Sequence, residues 1–538
     1  MKSTHQHLLI PLILFLLTFM VFGNTLFHRF TYDDHKVIEG NRLISSMTGI
    51  PDLFSQEYFE KTTEKSYRPV VTATYFVDCF IWGKRPVGYH LTNVLIHCVT
   101  VILVYIFLGS FYRDRGIRFV CALLFAVHPV VCEPVNSISF REDLLAGFFV
   151  LAAWVSLLRF ANRRSYGMVV SAFFAMCAYF SKESALPLVF PLGLYFLLWK
   201  NRKRIAEEKK RSLIFWLQQL SVVVFYLLIR FVFMAPDMGG ETQVLGGSRV
   251  AAWAHAGFLF LKTWRLFLMP IHLNADYVFW NIRGAVTIEA VAGFLFFACH
   301  LLVLYLLWRK GFLKLVFGLG WILIFFLPVS NLIPLTNPFA ERYLYLPLVG
   351  LVVVAGGLIE YAVKKGRESG RAGFQHVWRH IAGFIILVMI FLSVQRNLVW
   401  STDKTLWEAT LRREPRSVRA LNGVALELIA EERYSEAEDL LKKARHIKPL
   451  DYEIRNNLAI VYLQTNRPSM ALTELERALE IKPDYATAHY NLAKYYLSHG
   501  EEWREKALNH ARKAAHYGYE KSHHLIEKIE GYSNSNQE

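Results

Sequence analysis

The sequence predicts an all-α protein in two parts, a polytopic membrane bundle over residues 1–400 followed by a soluble helical array. Hydrophobic residues make up 54% of the 538 residues and charged residues only 19%, whereas soluble domains carry about 25% charged residues. Long apolar runs recur through the first 400 residues, and a 34-residue period begins after Trp400. This composition excludes an ordinary cytosolic enzyme.

Eleven apolar runs in the first part are candidate membrane spans, although several are shorter than the roughly 20 residues that cross a bilayer core. They are Leu8–Phe27, Leu91–Leu108, Ile117–Val131, Leu144–Leu158, Gly167–Phe180, Leu186–Trp199, Leu213–Met234, Thr287–Trp308, Leu313–Ile333, Tyr343–Tyr361 and Ile381–Val394. Val250–Met269 is also apolar but carries Lys262 and Arg265 in mid-run, which predicts an interfacial or re-entrant helix.

The net charge of +16 belongs to the apolar part. Residues 1–400 hold 39 Lys and Arg against 22 Asp and Glu, whereas the remainder holds 21 against 22. Basic residues beside membrane spans indicate orientation rather than nucleic-acid binding. Strongly basic loops, of which 200–211 is the richest, alternate with short loops around Arg141, Lys182 and Arg342 that have one basic residue each. The positive-inside rule therefore predicts that these short loops, the loop after the first span and the C-terminal part are all extracytoplasmic.

The C-terminal part is repetitive. Its prolines and alanines recur 34 residues apart, at Pro415, Pro449 and Pro483 and at Ala425, Ala459 and Ala493. This pattern resembles the tetratricopeptide repeat, a helix-turn-helix unit of that length. We predict a linker at 401–416, three repeats over 417–520, and a capping helix and tail at 521–538. Such arrays stack into an α-solenoid with a concave groove, so the sequence predicts a protein or peptide partner.

Two adjacent carboxylates, Asp33 and Asp34, follow the first span. At a membrane surface such a pair suits a general base acting on an acceptor hydroxyl, or a divalent-metal site. The alternative is a helix N-cap, where Asp is favoured. No other cofactor is predicted.

Further charged residues occur at the predicted outer ends of the spans. The cations Arg141, Lys182 and Arg342 begin three different segments, and such a cluster suits a phosphate. Each of them taken singly could also be a snorkelling side chain or half of a local ion pair. Supporting polar residues in the same regions are His90, His128, Glu133, Asp143, Glu183, Glu341 and Tyr343.

Other types of site receive no support from the sequence. His90, Asn93 and His97 share one face of the second span, for which interhelical hydrogen bonding is the favoured role over ligand binding. The chain has no HExxH, GxSxG or GxxxxGK[ST] motif, so hydrolase and ATPase functions are not indicated.

Eight motifs occur in an order that resembles one family, the TMTC-type transmembrane O-mannosyltransferases and their bacterial relatives of the GT-C glycosyltransferase class. They are Phe30-Thr31-Tyr32-Asp33-Asp34, Tyr67-Arg68-Pro69-Val70, Tyr89-His90-Leu91-Thr92-Asn93, Leu124-Phe125-Ala126-Val127-His128-Pro129, Arg141-Glu142-Asp143-Leu144, Ser181-Lys182-Glu183, Leu273-Asn274-Ala275-Asp276-Tyr277 and Ala340-Glu341-Arg342-Tyr343. The resemblance spans most of the chain, including the repeats.

The resemblance implies a GT-C-like bundle that uses a polyprenyl- or dolichyl-phosphate sugar, with an acidic pair at the active site. Asp33 and Asp34 match that pair. The family's recurrent charged positions are matched by Arg141, Lys182, Glu183, Glu341 and Arg342. The chain departs from the family in having only about three repeats and in reading Arg-Glu-Asp at 141–143.

We therefore expect an inverting glycosyltransferase that moves a mannose-like sugar from the lipid phosphate to an acceptor hydroxyl. Asp33 or Asp34 would be the base, while Arg141, Lys182 and Arg342 would bind the donor phosphate. The alternative is a non-catalytic, membrane-anchored TPR scaffold for envelope or secretory complexes. The sequence favours a bacterial inner membrane over the endoplasmic reticulum, with the repeats on the extracytoplasmic side.

Overall fold

The computed structural model describes residues 2–41, 43–62, 66–159, 164–198, 205–234, 245–279, 284–368 and 374–534. The described residues are helical or irregular, without a β-strand, so the all-α prediction is confirmed. The chain divides into two compact units, Met1–Thr402 and Asp403–Glu538.

The described part of the first unit contains fifteen α-helices. They are α1 (Lys2–Phe22), α2 (Glu57–Lys61), α3 (Pro69–Trp82), α4 (Pro86–Leu108), α5 (Arg115–Ala126), α6 (Cys132–Asn136), α7 (Arg141–Arg159), α8 (Arg164–Tyr179), α9 (Val189–Leu198), α10 (Ile205–Leu228), α11 (Arg249–Leu268), α12 (Ile288–Arg309), α13 (Leu313–Phe326), α14 (Tyr345–Glu368) and α15 (Phe374–Val399).

The multi-pass membrane character is confirmed, but the count of eleven spans is not. Within the described ranges six helical stretches are long and apolar enough to cross a membrane: Leu9–Phe27, Pro86–Leu108, Trp216–Phe233, Ile288–Arg309, Glu341–Glu368 and Val377–Val399. A seventh crossing is formed if the bent pair Arg115–Ala126 and Pro129–Asn136 counts as one span. Three other predicted spans correspond to shorter apolar helical stretches of 10–17 residues, Tyr166–Tyr179, Glu183–Leu198 and Leu313–Val329, and the predicted span Leu144–Leu158 lies within α7.

Proline explains one of these differences. The predicted span Ile117–Val131 breaks at His128-Pro129, and its two helices meet at 49°. Pro129 has no N–H to continue the hydrogen-bond ladder of α5. The apolar run Ile117–Val131 therefore extends past the end of α5, and it does not form one straight helix.

The long predicted loop between the first two spans is itself folded. It holds α2, α3 and several short helical turns, which pack around an apolar cluster that includes Tyr58 and Tyr75. Pro69 stands at the first position of α3, where its fixed φ favours helix initiation. Gly83 ends α3 at φ 60°, a conformation that glycine tolerates best.

Part of the predicted topology lies outside the described residues. Residues 199–204 hold much of the basic loop 200–211, and Arg163 and Arg371 likewise lie in undescribed segments. The inside and outside assignments stay predictions.

Two helix pairs of the bundle pack through facing glycines. In the α13–α14 pair, Gly318 and Gly350 each face the backbone of the other. In the α11–α12 pair, Gly257 and Gly293 do the same. Small residues let helix backbones approach closely, which is a main source of helix association where lipid removes the hydrophobic driving force.

The second unit is a stack of helices: α16 (Asp403–Arg413), α17 (Val418–Ala430), α18 (Tyr434–Ile447), α19 (Tyr452–Gln464), α20 (Pro468–Ile481), α21 (Ala486–Leu497), α22 (Arg504–His516) and α23 (Lys521–Asn534). The periodic alanines Ala425, Ala459 and Ala493 are fully buried, as close helix packing requires. The segment predicted as a linker contains α16, which packs against α17. Residues 521–534 form α23, which buries Ile529.

Candidate functional site

The acidic pair lies on a tight turn directly after the first span. Tyr32, which precedes the pair, has a left-handed backbone with φ 59°, an uncommon conformation for a residue with a side chain. The carbonyl of Asp33 accepts the N–H groups of Lys36 and Val37, both at 3.0 Å. The Asp33 side chain is partly exposed, whereas that of Asp34 is fully buried.

The carboxylate of Asp34 accepts hydrogen bonds from neighbouring protein groups. Its Oδ1 accepts the backbone N–H of Ser139 at 2.7 Å and the hydroxyl of Ser137 at 3.2 Å, while Oδ2 accepts the N–H of Thr31 at 3.2 Å. Burial raises the pKa of Asp34 to about 6, although these hydrogen bonds oppose the shift. The side chain makes no capping bond to the helical turn His35–Glu39, so the N-cap interpretation does not describe Asp34.

Arg342, which is predicted to bind the phosphate, lies in the short helical turn Glu341–Leu344 directly before α14. This arginine is close to the acidic turn. Phe140 directly follows Ser139, whose N–H binds Asp34. The Phe140 ring stacks on the Arg342 guanidinium, with 3.9 Å between the Arg342 Cζ and the ring centroid. The Phe140 ring also meets Tyr32, with 5.5 Å between centroids. Arg342 pairs with Glu133 through both its backbone N–H, at 2.8 Å, and its guanidinium.

Lys182 lies in a second group of charges that adjoins Arg342. Its Nζ is 2.5 Å from Asp143 and 2.9 Å from Glu142. It also lies 5.4 Å from the centre of the Tyr343 ring, which is 5.1 Å from the Cζ of Arg342. The two cations predicted to share a phosphate therefore both lie beside the Tyr343 ring.

Arg141 has a different environment. It is fully buried and pairs with Asp78 at 2.6 Å. The nitrogen that faces Asp78, Nη1, also donates to the Thr74 hydroxyl at 3.0 Å, while Nε donates to Asn93 at 2.7 Å and Nη2 to the carbonyl of Tyr89 at 3.0 Å. These contacts tie α7 to α3 and α4. Of the two roles considered for Arg141 from the sequence, phosphate binding and a local ion pair, the geometry favours the ion pair.

The predicted supporting residues are held by internal contacts. Glu341 is fully buried and accepts from the N–H of Asn274, the hydroxyl of Tyr277 at 2.9 Å and Arg396 at 3.2 Å. His128 contacts the carbonyl of Phe267 at 3.1 Å. His90 is fully buried, with its ring 5.9 Å from that of His28.

Sequence reasoning missed two arginines near Lys182. Arg68 contacts Glu142 and Glu183, and Arg230 lies 2.8 Å from Glu183. Arg230 stands within the apolar run Leu213–Met234, and a charge in such a run is itself a sign of function. Arg68 stands in one of the family-like motifs, so its position was visible although its partners were not.

A metal site at the acidic pair does not fit the geometry. Both oxygens of Asp34 already accept hydrogen bonds from N–H and O–H donors. Across the described ranges no group of three or more His, Cys, Asp or Glu side chains is arranged to hold a metal ion.

The comparisons with known proteins agree with the motif order. The chain is 25% identical over 501 residues to human protein O-mannosyl-transferase TMTC3, covering 86% of this chain and 54% of that protein. It is 24% identical over 526 residues to human TMTC1, with 84% and 56% covered, and 25% identical over 449 residues to human TMTC4, with 71% and 59% covered.

The chain is similar to the TMTC proteins. It spans about half the length of these TMTC relatives. Residues 428–495 match the tetratricopeptide repeat family model, so the predicted type of repeat is confirmed. Among solved structures, the APC/C hetero-tetramer Cut9-Hcn1 gives a TM-score of 0.24 at 13% identity, over 92% of this chain and 98% of that chain, too weak to support an argument.

Proposed function

We propose that the chain is a membrane glycosyltransferase of the GT-C class, which transfers mannose from a polyprenyl or dolichyl phosphate to an acceptor hydroxyl on the extracytoplasmic side. The similarity to proteins named O-mannosyl-transferases carries this proposal. An alignment of 501 residues is far longer than the repeat unit Asp403–Glu538. The similarity therefore includes the membrane unit and is not explained by shared repeats.

Asp33 is the general base in this proposal. It is the partly exposed member of the acidic pair, whereas Asp34 is buried and engaged by three donors. The acceptor oxygen attacks the anomeric carbon as Asp33 takes its proton. A new carbon–oxygen bond forms with inversion, and the bond between the anomeric carbon and the phosphate oxygen breaks with its electron pair leaving on the lipid phosphate.

Arg342 and Lys182 stabilise the charge that grows on that phosphate. Both cations lie beside the Tyr343 ring, and this shared neighbour supports their pairing. Both cations already have carboxylate partners, so an arriving phosphate would share them with Glu133 and Asp143. Arg141 is left out because its guanidinium is fully enclosed by protein groups.

The repeat unit would bind the protein or peptide that carries the acceptor hydroxyl. One contact brings the end of the membrane unit close to the acidic turn. The backbone N–H of Arg29 donates to the carbonyl of Ser401 at 3.0 Å. The chain therefore leaves the membrane unit beside the turn that carries Asp33.

The test is transfer of mannose from a polyprenyl-phosphate donor by the purified full-length protein. Asp33→Asn should lower the rate by about 10²–10⁴-fold, with donor binding retained. Glu39→Gln is the matched control, since Glu39 is an exposed carboxylate on the same turn that pairs with His35. Equal rates for Asp33→Asn and wild type would refute the role of Asp33.

The scaffold hypothesis makes a different prediction. A scaffold needs one anchoring span, whereas at least six helices of the described chain are apolar enough to cross. A scaffold would show no transfer and no donor binding in the wild type, and Arg342→Ala would change nothing. Donor binding that Arg342→Ala weakens would exclude it.

A further inference from the structure

The last residues of the membrane unit, 396–401, contact several elements of the candidate site. We call them the exit segment, because the repeat unit begins at Asp403. Within it, Arg396 lies 3.2 Å from Glu341. Asn397 accepts from Asn136 at 2.7 Å and donates to the carbonyl of Val21 at 3.0 Å. The exit segment is therefore fixed to α1, to α6 and to the turn before α14.

Trp400 is the residue through which the exit segment packs against the ring of Tyr32. It is fully buried, and its ring centre lies 6.3 Å from that of Tyr32 and 6.4 Å from that of Phe140. Its indole N–H has no hydrogen-bond acceptor among the described residues. Trp400 therefore contributes through packing. Replacing it with the smaller ring of phenylalanine reduces this packing without breaking a hydrogen bond.

Tyr32 needs such packing because its backbone is in the left-handed region, at φ 59°. This conformation costs roughly 1 kcal/mol or more for a residue with a side chain, and it persists only where neighbours enforce it. The Tyr32 ring lies against Phe140 and Trp400. Asp33 follows directly, so the direction of its carboxylate depends on the Tyr32 backbone.

We infer that Trp400 is a positioning residue, which holds Tyr32 in its left-handed conformation and so directs Asp33 toward the reacting hydroxyl. The inference rests on the proposed function of Asp33. The exit segment then does more than connect the membrane unit to the repeat unit, because it also supports the turn that contains Asp33.

The first test separates positioning from general stability. Trp400→Phe should lower kcat on the order of 10–100-fold, as expected for a displaced catalytic group, while KM for donor and acceptor stays near wild type. The matched control is Trp321→Phe. Trp321 is also fully buried, but it lies in the helix core and donates to the carbonyl of Leu346 at 2.9 Å. Trp321→Phe should lower thermal stability and leave kcat unchanged.

A double-mutant cycle tests whether Trp400 acts through Tyr32. Glycine adopts a left-handed conformation at little cost, so Tyr32→Gly removes the ring but keeps the turn available. In this background Trp400→Phe should change kcat by less than about twofold. An undiminished loss of kcat in the Tyr32→Gly background would overturn the inference, as would a Trp321→Phe loss equal to that of Trp400→Phe.

A second readout does not depend on transfer. In a Cys299→Ser background, which removes the exposed thiol, the Asp33→Cys thiol is labelled with a maleimide on the full-length protein. Trp400→Phe should change the labelling rate at least severalfold, and Trp321→Phe should not. An unchanged rate would overturn the positioning role even if the protein that keeps Asp33 transfers mannose. A changed rate, with no transfer by the protein that keeps Asp33, would support positioning while refuting the proposed enzyme.

Discussion

The carboxylate of Asp34 accepts the backbone N–H of Ser139 at 2.7 Å, which joins the turn after the first span to the segment that precedes α7. The two residues are 105 positions apart in sequence. Phe140 follows Ser139 and packs against both Arg342 and Tyr32. The acidic pair thus divides its roles, since one carboxylate organises the site and the other remains accessible.

This division predicts a pH effect on stability. The pKa of Asp34 is raised by burial to about 6, above its ordinary value of about 3.9. As the pH falls through 6 the native protein binds this proton before the unfolded chain does. The contribution of Asp34 to the free energy of unfolding therefore increases as the pH falls from above 6 to 4, by up to about 3 kcal/mol.

Thermal unfolding in detergent at pH 4.5 and 7.5 measures this effect against Asp34→Asn. The amide does not titrate, so the variant should lose this part of the pH dependence. Glu39→Gln is again the control. An Asp34→Asn profile parallel to wild type would contradict the assignment.

Arg141 and Asp78 should behave as a structural pair. Removing one member leaves a buried charge without its partner, which costs about 3–5 kcal/mol. Arg141→Met should therefore destabilise the protein strongly, and the double variant Arg141→Met/Asp78→Leu should recover part of the loss. The midpoint of thermal unfolding measures both. A fully stable Arg141→Met variant that fails to bind donor would instead support the phosphate role.

The close approach of α13 and α14 gives a prediction on helix packing. A Cβ at Gly350 would lie 2.5 Å from the carbonyl oxygen of Gly318, and a Cβ at Gly318 would lie 2.7 Å from that of Gly350. Gly350→Ala should thus cost about 1–3 kcal/mol, because the backbones must separate. Gly383→Ala in α15 is the control, since a Cβ there meets nothing within 4 Å. Equal unfolding midpoints for the two variants would count against this packing.

Removal of the repeat unit should separate acceptor recognition from donor binding. The division at Thr402 gives a truncation that keeps Trp400 and the whole candidate site. We expect a raised acceptor KM for a protein substrate, with donor affinity and the kcat for a short hydroxyl acceptor near wild type. An unchanged KM for the protein acceptor would show that the repeats do not recognise it.

Local patterns in the sequence were sufficient for the fold class and the repeats. Apolar runs identify membrane helices because each helix must satisfy its own backbone hydrogen bonds in lipid. The period that joins Ala425, Ala459 and Ala493 identifies the repeat because each unit buries the same small residue. The order of the charged motifs, from Asp33 to Arg342, was likewise readable without a structure.

The breaks in the apolar helices, the partners of the charges and the packing of the exit segment were decided by the tertiary structure. An apolar run does not reveal where a proline such as Pro129 breaks the helix. Whether Arg141 faces a phosphate or Asp78 depends on how α3 and α7 approach each other. Trp400 meets Tyr32 only because the chain returns to its own first span after more than 360 residues. Such contacts depend on packing between distant segments, so sequence periodicity does not encode them.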